Sequence, residues 1–188
     1  MKKFINTYLN DTKNLLDLAI SNHNSDILKI KKEFEKCSKR NKKIIFIGNG
    51  GSAATCSHVS VDLTKNAKIR AINFNEADLI TCFANDFGYS EWMQKSLEFY
   101  ADKGDLVVLI STSGKSQNIL NCGKYLKKKS IDFITFSGMK RLNSLKKMNT
   151  SGINVWVDSK SYNQIEIIHH FILLLIVDMI IGRSVYKA

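Results

Sequence analysis

Proline is missing from all 188 residues, where a usual frequency of about 5% would supply about nine. That absence excludes PxxP ligands and proline-stiffened linkers, and it leaves glycine as the main backbone punctuation. Cysteine is scarce as well. Cys37, Cys56, Cys82 and Cys122 form neither a CxxC pair nor a metal-finger spacing, so free thiols in a reducing compartment are expected. Long apolar runs are also lacking: the longest strongly apolar one, Phe171 to Val177, stops at Asp178, far short of the ~20 residues that span a bilayer. The start MKKFINTYLN is basic but has no apolar stretch behind it as a signal peptide would. These features predict a cytoplasmic protein with no membrane partner. Acidic side chains are the minority, 17 against 28 basic ones, for a net charge of +11. Such a surface attracts anions. The lysine clusters at Lys31–Lys32, Lys127–Lys129 and Lys146–Lys147 fall mostly near expected helix C-termini, where cations are favoured. No aromatic residues alternate with them as a base-stacking groove requires, so nucleic acid is not an expected partner.

The remaining composition, 44% hydrophobic and 24% charged, is that of one globular domain able to build a core without metal or disulfide staples. Residues 1–40 carry apolar side chains at helical spacing (Leu15, Leu18 and Ala19; Ile27, Ile30 and Phe34), interrupted by the polar cluster Ser21 to Ser25. Two helices or one broken helix are expected there. From residue 41 onward, short apolar runs alternate with helical stretches. The runs Ile44–Ile47, Ile69–Phe74, Leu106–Ile110, Phe133–Phe136 and Ile153–Val157 read as strands, several apolar on both faces. This pattern predicts an α/β domain over 1–188, with these strands in a parallel sheet covered by helices on each side. Asn163 to Ile181 is apolar nearly all round, which predicts a helix buried in the domain or between subunits.

Two strand ends carry unusual chemistry. The first strand runs into Gly48-Asn49-Gly50-Gly51-Ser52 and a helix expected near Ala53, which gathers backbone amides and a hydroxyl at a helix N-terminus. That is an anion cradle. The third strand ends in Ser111-Thr112-Ser113-Gly114-Lys115-Ser116, with four hydroxyls and an ammonium in one turn, donors suited to phosphate oxygens. Two rival motifs fail. Gly48 to Ala53 also fits the dinucleotide pattern, but Asn73 and Asn75 stand where a ribose-binding acid belongs, so no nucleotide cofactor is expected. Gly114-Lys115-Ser116 ends like a P-loop, yet Leu109 occupies the position of the earlier glycine.

Three segments in order, Gly48-Asn49-Gly50-Gly51-Ser52-Ala53-Ala54, Asn85-Asp86-Phe87-Gly88-Tyr89 and Ile110-Ser111-Thr112-Ser113-Gly114-Lys115-Ser116-Gln117-Asn118, together resemble the sugar isomerase (SIS) domain, in its phosphoheptose isomerase branch. The resemblance implies a five-stranded parallel sheet flanked by helices, flavodoxin-like in its three layers, a homotetramer with active sites between subunits, and the conversion of sedoheptulose 7-phosphate to D-glycero-D-manno-heptose 7-phosphate for surface polysaccharide synthesis. It implies that Ser52, Ser111, Thr112, Ser113 and Ser116, with the Gly50 and Gly51 backbone, hold the phosphate. Asn49, Asn85 and Asp86 would contact the sugar.

Ketose–aldose exchange moves a proton between adjacent carbons through an enediol, so the site needs a base and an acid partner. His58 and Asp62, four apart on one helix face, and Glu166, His169 and His170 on the apolar last helix are the titratable groups available. Asp62 is expected as base and His169 or His170 as its acid partner. Relatives carry glutamate at the place of Asp62 and arginine at that of Asn66. They also have a glutamine and a histidine eight residues apart on the last helix. With Glu166 in the glutamine's place the later position is Leu174, and with His170 as the histidine the earlier one is Tyr162. Some relatives bind zinc, for which His58, Asp62, Glu166 and His170 are the corresponding ligands. An isomerase for another sugar phosphate, and a non-catalytic SIS module binding a phosphosugar or a protein partner, are the alternative readings.

Overall fold

The computed structural model describes residues 1–185. Five parallel strands form one sheet in the order β2-β1-β3-β4-β5: β1 Ile44–Gly48, β2 Ala71–Asn73, β3 Leu106–Ser111, β4 Asp132–Gly138 and β5 Asn154–Val157. The alternation of side chains explains why both faces read as apolar. Ile44, Phe46, Leu106, Val108, Ile110, Ile134 and Phe136 pack in one core, while Ile45, Ile47, Val107, Leu109 and Phe133 pack in the other. Helices α1 (Lys2–Lys39), α2 (Gly51–Lys65) and α7 (Tyr162–Ile181) cover the first face. Helices α4 (Trp92–Tyr100), α5 (Gln117–Lys129) and α6 (Ser144–Met148) cover the second, and α3 (Ala77–Phe87) leads into α4.

The break expected near Ser21 to Ser25 is absent: α1 is a single helix of 38 residues. No glycine or proline lies between Lys2 and Lys39, and the polar cluster has a tertiary use. His23 is buried against the edge strand, where its Nε2 accepts from the Trp156 amide at 3.1 Å while Nδ1 lies 3.1 Å from Asp26. The imidazole thereby covers a free backbone group at the exposed side of β5.

Helix α7 is 20 residues long and apolar enough, by length and composition, to cross a bilayer. In the fold Ile165, Ile168, Ile172, Leu173 and Ile176 lie fully buried in the core shared with α1 and α2. With β2 on one side of β1 and β3 on the other, the chain reverses its winding between β1 and β3. Ligands of such sheets bind at that switch point, outside the carboxyl ends of the strands.

Candidate active site

Both polar loops open at the switch point. The first follows β1, and α2 begins two residues earlier than expected, at Gly51. Its ladder opens with Ala53 N–H on the Asn49 carbonyl at 3.2 Å, so the Gly51 and Ser52 amides precede it and face outward from the positive helix end. The second loop, after β3, turns at Gly114, which adopts φ +64°. A side chain there would collide with Asn143 Oδ1, so the turn demands glycine for space as well as for conformation.

The loops share one cavity of about 130 Å³, lined by Asn49 and Ser52 from the first and by Ser111, Thr112, Ser113 and Ser116 from the second. Hydrogen bonds fix its rim. Ser111 Oγ donates to Ser116 Oγ at 3.1 Å. Asn49 and the buried Asn118 exchange two side-chain bonds of 3.0 Å each, tying the first loop to the start of α5. Tyr89 donates its hydroxyl to Asn49 Oδ1 at 3.2 Å. Asn118 and Tyr89 stand within the segments that carry the family resemblance, yet their role as braces of Asn49 depends on tertiary contacts that spacing does not reveal. Asn85 and Asp86, expected at the sugar, sit near the end of α3, bond to each other at 2.9 Å and do not line this cavity.

Glu166 lines the cavity from α7. Its Oε1 accepts from Thr112 Oγ1 at 3.4 Å, and Oε2 occupies the place where a side chain on Gly51 would begin. A carboxylate thus stands at the N-terminal end of α2, in a pocket otherwise lined mainly by hydroxyl and amide side chains. It stabilises the unliganded helix end and opposes an incoming dianion.

Helices α2 and α7 continue side by side beyond the cavity. His58 Nδ1 and His170 Nε2 are 2.9 Å apart, and His58 Nε2 lies 3.4 Å from Asp62 Oδ2. Asn66 Nδ2 donates to the other Asp62 oxygen at 3.2 Å. The hydrogen-bond pattern is met when His58 donates from Nε2 to Asp62 and accepts at Nδ1 from His170, which leaves Nδ1 of His170 as a free lone pair. Burial, and then the neighbouring His58, lower the pKa of His170 against the pull of Asp62, so the ring is held neutral. Asp62, the expected base, thus faces His58 with one oxygen and accepts from Asn66 with the other.

His169 does not belong to this array. It is 1% exposed, lies edge-on to Phe136 with centroids 5.5 Å apart, and bonds the Ser137 carbonyl through Nε2 at 3.1 Å. Burial depresses its pKa to about 4, so it is a neutral core residue rather than the expected acid partner. The two adjacent histidines point apart because successive helix positions differ by ~100°. The expected zinc ligands do not converge either. His58, Asp62 and His170 are neighbours but Glu166 lines the phosphate cavity instead, and among the described residues no three His, Cys, Asp or Glu side chains have an arrangement that could hold a metal ion.

A sheet of this order with hydroxyl-rich loops at its switch point defines an α/β domain equipped to bind an anion, and the chain belongs to the SIS domain family, whose profile matches residues 7–138. More particularly, it falls in the phosphoheptose isomerase branch. It is 36% identical over 146 residues to a phosphoheptose isomerase of Cytophaga hutchinsonii, covering 73% of this chain and 76% of that one. A phosphoheptose isomerase of Buchnera aphidicola is 33% identical over 148 residues, covering 73% and 75%. In fold, the chain matches a phosphoheptose isomerase structure from Neisseria gonorrhoeae with a TM-score of 0.89 at 21% identity, covering 95% of this chain and 98% of that one.

Proposed function

We propose that the protein isomerises sedoheptulose 7-phosphate to D-glycero-D-manno-heptose 7-phosphate. The observation that carries this reading is the convergence of two loops, far apart in the chain, on one hydroxyl-lined cavity beside a histidine–aspartate array. Ser52 and Ser111 to Ser116 hold the phosphate with the helix-end amides of Gly51 and Ser52. From Ser52 to His58 the axis of α2 advances about 9 Å, six residues at ~1.5 Å each. An extended heptulose chain, gripped at its C7 phosphate, places C1 and C2 at the far end of that interval.

There His170 accepts a proton from C1 to form the enediol and returns it to C2, while one proton passes from the oxygen on C1 to the oxygen on C2. Atoms and electrons balance within the sugar, so the step asks for no nucleotide cofactor. Asp62 holds His58 in the tautomer that accepts from His170 and stabilises the charge that develops on the pair.

We place the enzyme in the cytoplasm, where its four free thiols stay reduced, and in the supply of heptose for surface polysaccharide. We also propose a homotetramer with sites between subunits. Phe4, Ile5 and Leu9 on α1, and Ile167 and Phe171 on α7, support it by standing 45% to 72% exposed on one chain. The direct test is incubation with sedoheptulose 7-phosphate, with and without added zinc, followed by product analysis. An aldose heptose 7-phosphate is expected. Tight binding without turnover would instead make the protein a phosphosugar-binding module.

A further inference from the structure

Beside the phosphate cavity lies a much larger cleft of about 920 Å³, lined by Ser113, Lys115, Met139, Lys140, Asp158, Ser159, Lys160 and Tyr162. Two of these residues, Ser113 and Tyr162, also line the phosphate cavity, so the two spaces adjoin. The volume is in the range of small-molecule sites.

Its charge is not that of a solvated helix face. Lys115, Lys140 and Lys160 come from three separate loops, which follow the carboxyl ends of the adjacent strands β3, β4 and β5. One carboxylate, Asp158, shares the lining with them. Helix α7 starts at Tyr162 in the cleft wall and turns its positive end toward the same region. Met139 holds a left-handed φ of +54°, and its amide donates to the Ser159 carbonyl at 3.0 Å, which binds the β4 loop to the β5 loop across the cleft. Met139 and Tyr162 contribute apolar surface to the same lining. The lysine clusters on α5 and α6 line no part of this space.

We propose that this cleft is a second anion site, contiguous with the first, which takes the second phosphoryl group of a doubly phosphorylated small molecule. One phosphoryl group sits among the hydroxyls of the Ser111 to Ser116 loop and the other among Lys115, Lys140 and Lys160. This inference rests on the phosphate cavity proposed above. A singly phosphorylated heptose uses only the first site, whereas a ligand with two phosphoryl groups bridges both and competes with it.

The test uses the full chain, inorganic phosphate and pyrophosphate, with binding measured by calorimetry at about 0.15 M salt so that distant charges are screened. Wild type is expected to bind pyrophosphate at least tenfold more tightly than phosphate. Lys140→Ala with Lys160→Ala is expected to abolish that preference, leaving phosphate affinity and heptulose turnover within twofold. Lys127→Ala with Lys128→Ala, which removes the same charge elsewhere, is expected to keep it. Equal affinity for the two anions in wild type, or a preference lost equally in both double variants, overturns the second site. Failure of inorganic phosphate to bind at all overturns the first site, and with it this proposal.

Discussion

The two ends of the candidate site are built in opposite ways. The phosphate end consists of two continuous loops whose hydroxyls and amides are fixed by turns and helix starts. The proton-transfer end consists of side chains from α2 and α7, with His58 and His170 separated by 112 residues in sequence and 2.9 Å in space. Loop chemistry is local and redundant, so losing one hydroxyl leaves others. The histidine pair proposed for proton transfer is distant and singular, so each member is expected to be required. The difference predicts that damage at the first end raises KM by degrees, while damage at the second lowers kcat sharply.

The largest effect should follow His170→Ala or His58→Ala, each expected to cut kcat by about 10²- to 10⁴-fold with KM for the heptulose phosphate little changed. Steady-state kinetics on sedoheptulose 7-phosphate would read this. Loss confined to KM would place the chemistry elsewhere. Next comes His169→Ala, which empties a buried ring position and leaves the Ser137 carbonyl without its donor; a loss of about 2–4 kcal/mol is expected from denaturant unfolding. The folded fraction should keep its kcat, which separates the core histidine from its neighbour.

His169 also sets a pH dependence. Its folded pKa is about 4 against about 6.5 unfolded, so below pH 6.5 the unfolded chain binds a proton that the native state refuses. Stability therefore falls as pH drops from about 6.5 toward 4, by up to about 3 kcal/mol from this group. Unfolding midpoints across that window should decline in wild type and decline less in His169→Asn.

A smaller effect is expected at the join between the two ends. Glu166→Gln removes the negative charge facing the proposed phosphate position while keeping the side chain's size. KM should fall about 3- to 5-fold, on the order of 1 kcal/mol for a half-exposed pair of charges. An unchanged or raised KM would show that the carboxylate aids binding instead. The smallest concerns α1, where His23→Ala uncovers one edge of β5 and should cost about 1 kcal/mol.

The same contrast explains what could be read in the sequence. Strands in an alternating α/β pattern, with apolar runs such as Ile44–Ile47 and Leu106–Ile110, announce a parallel sheet. The loops at Asn49 to Ser52 and at Ser111 to Ser116 announce an anion site, because each is contiguous. Helix α7 hides its chemistry. With nearly every face apolar it gives no signal of which side meets α2, so His169 and His170 are indistinguishable until the packing of Phe136 and His58 is known. Helix α1 misleads for the converse reason, since a polar cluster that suggests a break instead contains His23, the group that meets the sheet edge. The lysine cleft is invisible because its three cations come from three loops, none unusual alone.

The central claim is that one cavity grips the phosphate while the opposite end of the same sugar reaches the histidine array. Crystals of the His170→Asn variant soaked with sedoheptulose 7-phosphate test it directly. The phosphate should lie between Ser52 and the Ser111 to Ser116 loop, with C1 and C2 directed along α2 toward residue 170. A phosphate bound outside that cavity, or a sugar chain turned away from His58, would contradict the account.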